Sequence, residues 1–157
     1  MVTPASLNEW LAYIEAGHPT EIELGLDRVA AVAQRMGIDL SSSKVITVAG
    51  TNGKGSTTAM LDSILRSANY RTGVYTSPHF LRYNERIQLL GELASDDQIC
   101  ASFSYIEQAR GEVSLTYFEF GTLAALHIFA LAKLDYVILE VGLGGRLDAV
   151  NIIDADL

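Results

Sequence analysis

The sequence predicts an α/β fold: three layers built on a mainly parallel sheet, with a phosphate-binding P-loop. Three observations carry that expectation. Short β-branched runs alternate with helical patterns along the chain; one of them, KVITVAG at 44–50, passes directly into a glycine-rich loop and then a helix; and a later run, YVILEVG at 136–142, is apolar apart from one charged residue near its C-terminal end, as a buried strand is.

The elements can be taken in order. Ser6 and Glu9 have capping-box spacing ahead of Leu7, Trp10, Leu11 and Ile14, and Gly17 ends that stripe. A second helix is expected from about Gly25, with Leu26, Val29, Ala30, Ala33 and Met36 on one side and Gly37 as C-cap. After the glycine-rich loop, Met60, Leu61, Ile64, Leu65 and Ala68 recur at helical spacing, and TGVYTS at 72–77 supplies the second strand of a first βαβ unit. RIQLLGELA at 86–94 has the form of a small hairpin turning near Gly91. Ser95 and Gln98 cap a helix that turns Ile99, Phe103 and Ile106 inward. From Tyr117 to Lys133 the pattern is apolar nearly all round, which marks a helix buried between layers. NIIDADL at 151–157 reads as the start of a further strand, so the chain is expected to be a fragment, with an unpaired sheet edge that favours self-association.

Composition narrows the function classes. A chain of 157 residues, 49% hydrophobic, is long enough for one packed core. Its formal charge of −8 disfavours nucleic acid and anionic membrane as partners, so a small anion must be held by local geometry. Cys100 is the single cysteine, so no intrachain disulfide forms; its neighbours Ile99 and Phe103 make it a half-buried helix residue. The N-terminal residues lack the pattern of a signal peptide, and the most apolar run, from Phe120, falls short of the roughly 20 residues that cross a bilayer. A soluble, cytoplasmic protein is expected.

The chemistry concentrates where strands end. In VAGTNGKGSTT, Gly50 stands three positions before Gly53 and Lys54 is followed by Gly55, two departures from the general nucleotide-binding pattern. Glycines at 50, 53 and 55 free the backbone to turn its N–H groups toward one point, the following helix adds the positive end of its dipole, and Lys54, Ser56 and Thr57 supply a charge and two hydroxyls. Glu140 interrupts an apolar strand and needs a cation. Mg²⁺ with Ser77 as a second oxygen ligand is one answer, and a salt bridge to Arg146 or Arg82 is another. His79 is either catalytic, a ligand, or a hydrogen-bonding loop residue; His18 and His127 have no companions at metal spacing. One of the aromatics Tyr117, Phe118 and Phe120 could stack on a flat heterocycle, and Asp148, in GLGGRLD at 142–148, could accept from an amidine-like N–H edge.

Five blocks in order, IELGLDRV, AGTNGKGST, YTSPHFLRYNERI, SLTYFEFGTLAAL and ILEVGLGGRLDAVNIID, resemble the folylpolyglutamate synthase/dihydrofolate synthase enzymes, the folate branch of the Mur-type amide ligases. The resemblance accounts for the unusual loop, since Gly-Thr-Asn-Gly-Lys-Gly-Ser is the phosphate loop of that family. It implies a Mur-ligase-type central ATPase domain, of which residues 1–157 would be the N-terminal portion. It also implies ATP phosphates held by Gly50, Thr51, Asn52, Gly53, Lys54, Gly55, Ser56 and Thr57, with Lys54 and Glu140 in the catalytic roles. Mg²⁺ would sit on Ser77 and Glu140, and the pterin end of dihydropteroate on Leu24, Thr116, Phe118 and Asp148. Val150 stands where the family commonly has a small hydroxyl residue. The implied reaction is ATP-dependent ligation of L-glutamate to dihydropteroate or folates through an acyl phosphate, by a protein that is monomeric at full length. A metal-binding histidine, a modified lysine and a C-terminal domain of the family have no counterpart here, so the piece is expected to be inactive alone. Two rival readings are a Mur-type ligase acting on a sugar-peptide and a nucleotide-binding module without chemistry.

Overall fold

A computed structural model describes residues 4–17, 25–143 and 145–157. The helices are α1 (Leu7–Ala16), α2 (Asp27–Met36), α3 (Lys54–Ser67), α4 (Asp96–Arg110) and α5 (Tyr117–Ala132); the strands are β1 (Lys44–Val48), β2 (Thr72–Tyr75), β3 (Ile87–Leu89), β4 (Glu92–Leu93) and β5 (Tyr136–Glu140). Single 3-10 turns occupy Tyr83–Arg86, Gly145–Leu147 and Ala149–Ile152.

The sheet runs β1-β5-β2-β3-β4. β5 lies parallel to both β1 and β2, while β3 pairs antiparallel with β2 and β4 with β3, so the sheet is mixed. β1 and β2 are therefore not neighbours, and the first βαβ unit reaches across β5. β5, whose Val137, Ile138 and Leu139 are all fully buried, lies between the other two parallel strands, because an interior strand must be apolar on both faces. Alternation sorts the two faces: Val45, Tyr75, Val137 and Leu139 join the main core with α5, and Ile46, Val74 and Ile138 lie outside it, on the face where α3 packs.

α5 is the middle layer. It touches β2 and β3 on one side and α1, α2 and α4 on the other, which accounts for its apolar pattern around the whole circumference. Two capping boxes start the long helices, Ser95 with Gln98 and Thr116 with Glu119. Glu119 is also buried and takes a 2.8 Å bond from Arg28, which fastens α5 to α2. The α2 stripe is Val29, Val32, Ala33 and Met36; Ala30 faces solvent instead of the core, and Val32 takes its place. Trp10 of α1 is buried with its ring 6.0 Å from that of Phe103 in α4.

The stripe in α3 behaves differently from the others. Its inward positions are Thr58 and Asp62, while Met60 and Ile64 are 65% and 62% exposed. Asp62 is held by Arg66 at 2.8 Å and by the Thr72 hydroxyl at 2.6 Å. The side of α3 toward the sheet is polar because it borders a cavity rather than the core. The hairpin expected near Gly91 is present as β3 and β4, joined through Leu90 and Gly91 with φ of 54° and 83°. A glycine suits that left-handed position, and a Cβ there would also meet the Arg66 guanidinium at 2.7 Å.

Residues 156 and 157 lie along the free edge of β1: the Asp156 N–H donates to the Val45 carbonyl at 2.8 Å and the Leu157 carbonyl accepts from Thr47 at 2.9 Å. The strand expected over 151–157 is not formed: residues 151 and 152 lie in the 3-10 turn, and the bonds along the β1 edge come from residues 156 and 157. Among the described residues no helix is long and apolar enough to cross a membrane.

Gly73 in β2 leaves room for α5 to approach the sheet, since a Cβ there would fall 2.5 Å from Leu134 Cδ1 and 2.7 Å from Phe129 Cδ1. Gly73→Ala is expected to cost about 1–3 kcal/mol in chemical denaturation, the usual range for overpacking. An unchanged midpoint would show that the two side chains move aside freely.

Candidate functional site

The parallel strands β1, β5 and β2 end on the same edge of the sheet, and Gly50, Glu140 and Ser77 follow or close them there. Val48 and Glu140 are register partners. Parallel sheets place ligands beyond this edge, because the strand ends open into loops and helix N-termini.

Gly53 makes the turn from β1 into α3 with φ 78°, and the 14-residue helix begins at Lys54. Thr51, Asn52, Gly53, Gly55, Ser56 and Thr57 are all exposed, so the loop and first turn are open to solvent, while the Thr57 N–H is already bonded to the Gly53 carbonyl at 3.0 Å. Lys54 folds back and donates to the Gly50 carbonyl at 2.8 Å. Thr58 is buried, bonding to the Lys54 carbonyl at 2.8 Å, and so braces the turn from within.

Glu140 is 5% exposed. Burial pushes its carboxyl above the ordinary range, against the pull of the Ser77 backbone N–H and the Lys54 charge. No salt bridge joins it to Arg146 or Arg82; Arg82 lies 3.8 Å from Asp96 instead. Two glycines admit the carboxylate and hydroxyl to the loop: a Cβ at Gly55 would stand 3.9 Å from Glu140 Oε2, and one at Gly142 would stand 2.8 Å from Ser77 Oγ. Both groups also line a cavity of about 500 Å³ between α3 and the β2–β3 region, together with Gly55, Thr58, Asp62 and Gln88.

No group of three or more His, Cys, Asp or Glu with metal geometry occurs among the described residues. A desolvated carboxylate and a hydroxyl beside a phosphate-type loop nonetheless fit a hard divalent cation that draws the rest of its shell from phosphate and water. Ser77 and Glu140 are the residues that would hold it.

His79 is fixed in the loop and is not a ligand in this arrangement. Its Nδ1 accepts from Arg86 Nε at 2.8 Å, which leaves the proton of the neutral ring on Nε2. Burial and the Arg86 charge lower its pKa, keeping it neutral. Glu85 organises the same loop by accepting from the N–H groups of Phe80, Leu81 and Arg82 at 2.9, 2.9 and 2.6 Å. Those bonds hold its carboxyl below the usual range and leave Phe80 and Leu81 89% and 90% exposed, with Phe80 lining the cavity. The sequence reading passed over Glu85 and Arg86, although the charged pair directly before an apolar strand was there to be noticed.

The four residues expected at a pterin differ in accessibility. Leu24 lies outside the described residues, as does His18. Phe118 is half-exposed, with its ring 6.0 Å from that of Tyr75 and against Gly142. Thr116 is buried as the N-cap of α5. Asp148 is buried too: Oδ2 accepts from Gly142 and Leu143, both at 2.8 Å, and Oδ1 from Val150 at 3.0 Å. Its pKa is raised by that burial. With one bond on Oδ1, it keeps capacity for a further donor.

No family profile matches the chain. It is 56% identical over 151 residues to the dihydrofolate synthase/folylpolyglutamate synthase of Escherichia coli, covering 96% of this chain and 36% of that protein. It is 42% identical over 121 residues to the folylpolyglutamate synthase of Arabidopsis thaliana, covering 73% and 21%. Among solved structures, E. coli FolC in complex with DHPP and ADP matches with a TM-score of 0.95 at 55% identity, covering 99% of this chain and 38% of that one. A bifunctional folylpolyglutamate synthase/dihydrofolate synthase with Mn, AMPPNP and L-glutamate bound matches at 0.92 and 55%, covering 99% and 38%. The folylpolyglutamate synthase of Mycobacterium tuberculosis complexed with ADP matches at 0.83 and 33%, covering 95% and 36%. The chain spans about a third of the length of the curated relatives most similar to it, 34–37%.

Proposed function

Over the residues it spans, the chain belongs to the dihydrofolate synthase/folylpolyglutamate synthase family, and from that premise we propose that it is the N-terminal portion of an ATP-dependent ligase. Its ATPase domain is of the Mur-ligase type, and the ligase joins L-glutamate to dihydropteroate, to folates, or to both. The observation that carries this reading is the convergence of Lys54, Ser77 and Glu140 around an open glycine-rich loop at the strand ends.

In the proposed reaction the acid's carboxylate attacks the γ-phosphorus of ATP, ADP departs, and the amine of L-glutamate displaces phosphate from the acyl phosphate. The chain's contribution is positioning and charge neutralisation. Gly50 to Thr57 offer N–H groups and hydroxyls to the phosphates, and Lys54 exchanges its Gly50 carbonyl for β/γ oxygens. Ser77 and Glu140 are the residues that would hold Mg²⁺, which would supply neutralisation of the phosphate charge. Phe118 would stack on the pterin, while Thr116 and Asp148 fix the two backbone segments around it and Asp148 Oδ1 accepts a ring N–H. No covalent enzyme intermediate is required, in keeping with the absence of a nucleophile–base pair in this proposal. A sugar-peptide ligase is disfavoured by the Lys54-Gly55-Ser56 loop and the Ser77-Pro78-His79 block.

Calorimetric titration of the chain with Mg·ATP, with and without dihydropteroate, tests the reading. Saturable heat that vanishes without Mg²⁺, and tighter nucleotide binding in the presence of dihydropteroate, are expected. A folded chain that gives no heat with either compound would sink the claim that these residues form the site.

A further inference from the structure

Arg86 is a half-buried guanidinium for which no carboxylate lies within 4 Å among the described residues. Aromatic rings surround it instead: its central carbon lies 5.4 Å from the Tyr83 ring and 5.8 Å from that of Tyr117, and its Nε donates to His79. Removing a guanidinium partly from water without an anion is costly unless one arrives. The adjacent carboxylate, Glu85, is already committed to three backbone N–H groups.

The cage is continuous with the candidate site. Tyr75 packs on Phe118, Phe118 and Ser77 Oγ both border Gly142, and His79 follows Ser77 by two positions. A carboxylic acid entering there approaches Glu140 in a chain of net charge −8, so a fixed local cation is needed. Lys54 is committed to the phosphates in the reading above, and Arg82 lies near Asp96. Arg86 remains, with Nε spent on His79 and Nη donors left over; a planar guanidinium pairs with a carboxylate through two parallel bonds.

We propose that Arg86, oriented by His79, is the receptor for the aryl carboxylate of the acid substrate. The assignment rests on the ligase reading for the identity of that acid and on the cage geometry for the anion itself. His79 is a positioning residue, since it acts through Arg86.

Two measurements test it. Arg86→Met is expected to weaken dihydropteroate binding by about tenfold or more, while the carboxamide analogue changes by less than about twofold, because a charge-assisted pair is lost only for the acid. Equal losses for acid and amide, or no loss for either, overturn the assignment. The second measurement needs no variant: the Arg86 Nε–H resonance of the arginine-labelled wild-type chain is followed as para-aminobenzoate or para-aminobenzamide is added. A shift with the acid alone supports the receptor; equal shifts, or none, overturn it. If that resonance answers para-aminobenzoate while dihydropteroate fails to bind, the receptor stands and the ligase reading falls.

Discussion

Lys54→Ala is expected to lower affinity for Mg·ADP about a hundredfold or more in calorimetric titration, with the melting temperature unchanged. The two outcomes separate because of where Lys54 sits. Its bond to the Gly50 carbonyl joins an exposed glycine to the half-buried first residue of α3 at the molecular surface, so losing it removes little from the fold. Against phosphate the same ammonium makes charge-assisted bonds, each about 1.5–3 kcal/mol, and two of them exceed a factor of one hundred. Unchanged nucleotide affinity in a folded variant would remove Lys54 from the site.

Glu140→Gln is expected to raise stability and abolish the metal effect together. The buried carboxyl has a folded pKa above its unfolded value, so the folded state binds more protons between the two. Its contribution is therefore most favourable below the unfolded value of 4.5 and is lost as pH rises through the raised folded pKa. At pH 7 the wild type holds a desolvated charge that glutamine does not. A gain of about 2–4 °C in melting temperature, about 1 kcal/mol for a chain of this size, is expected at pH 7 and disappears toward pH 4. Asp148 is raised by burial as well and gives the wild type a slope of the same sign, but it is present in both proteins and cancels in the difference. The variant is also expected to bind nucleotide equally with and without Mg²⁺. A variant that melts lower at pH 7, or still responds to Mg²⁺, would contradict the two roles assigned to this carboxylate.

Local signals in the sequence proved the most dependable. The passage from β1 through Gly50–Gly53 into α3, the Ser95–Gln98 cap and the turn at Gly91 each depend on a few adjacent residues, and each was legible. The strand order was not. Which runs become neighbours depends on burial of whole faces, and β5, last in sequence of the strands, takes an interior place between β1 and β2 by its apolar character. α3 shows a second limit: Met60 and Ile64 repeat at helical spacing, yet Thr58 and Asp62 face inward because a polar cavity replaces the core there. At the site, the glycines, Lys54 and Glu140 stand out by composition alone. Arg86 and Glu85 do not, because their parts are defined by Tyr83, Tyr117, His79 and three loop N–H groups that only folding assembles.

The position of Trp10 has an optical consequence. It is the chain's single indole, shielded between α1 and α4 on the helical side of the molecule, whereas tyrosines 75, 83 and 117 gather near the strand ends. Excitation at the red edge of the spectrum selects the indole and follows loss of the helical layers without answering to what binds at the loop. Tyrosine emission carries no such address, since the seven tyrosines include Tyr13 against Trp10 and Tyr105 on α4 as well as the three near the strand ends. The indole alone reports whether the chain is folded, whatever fills its other end.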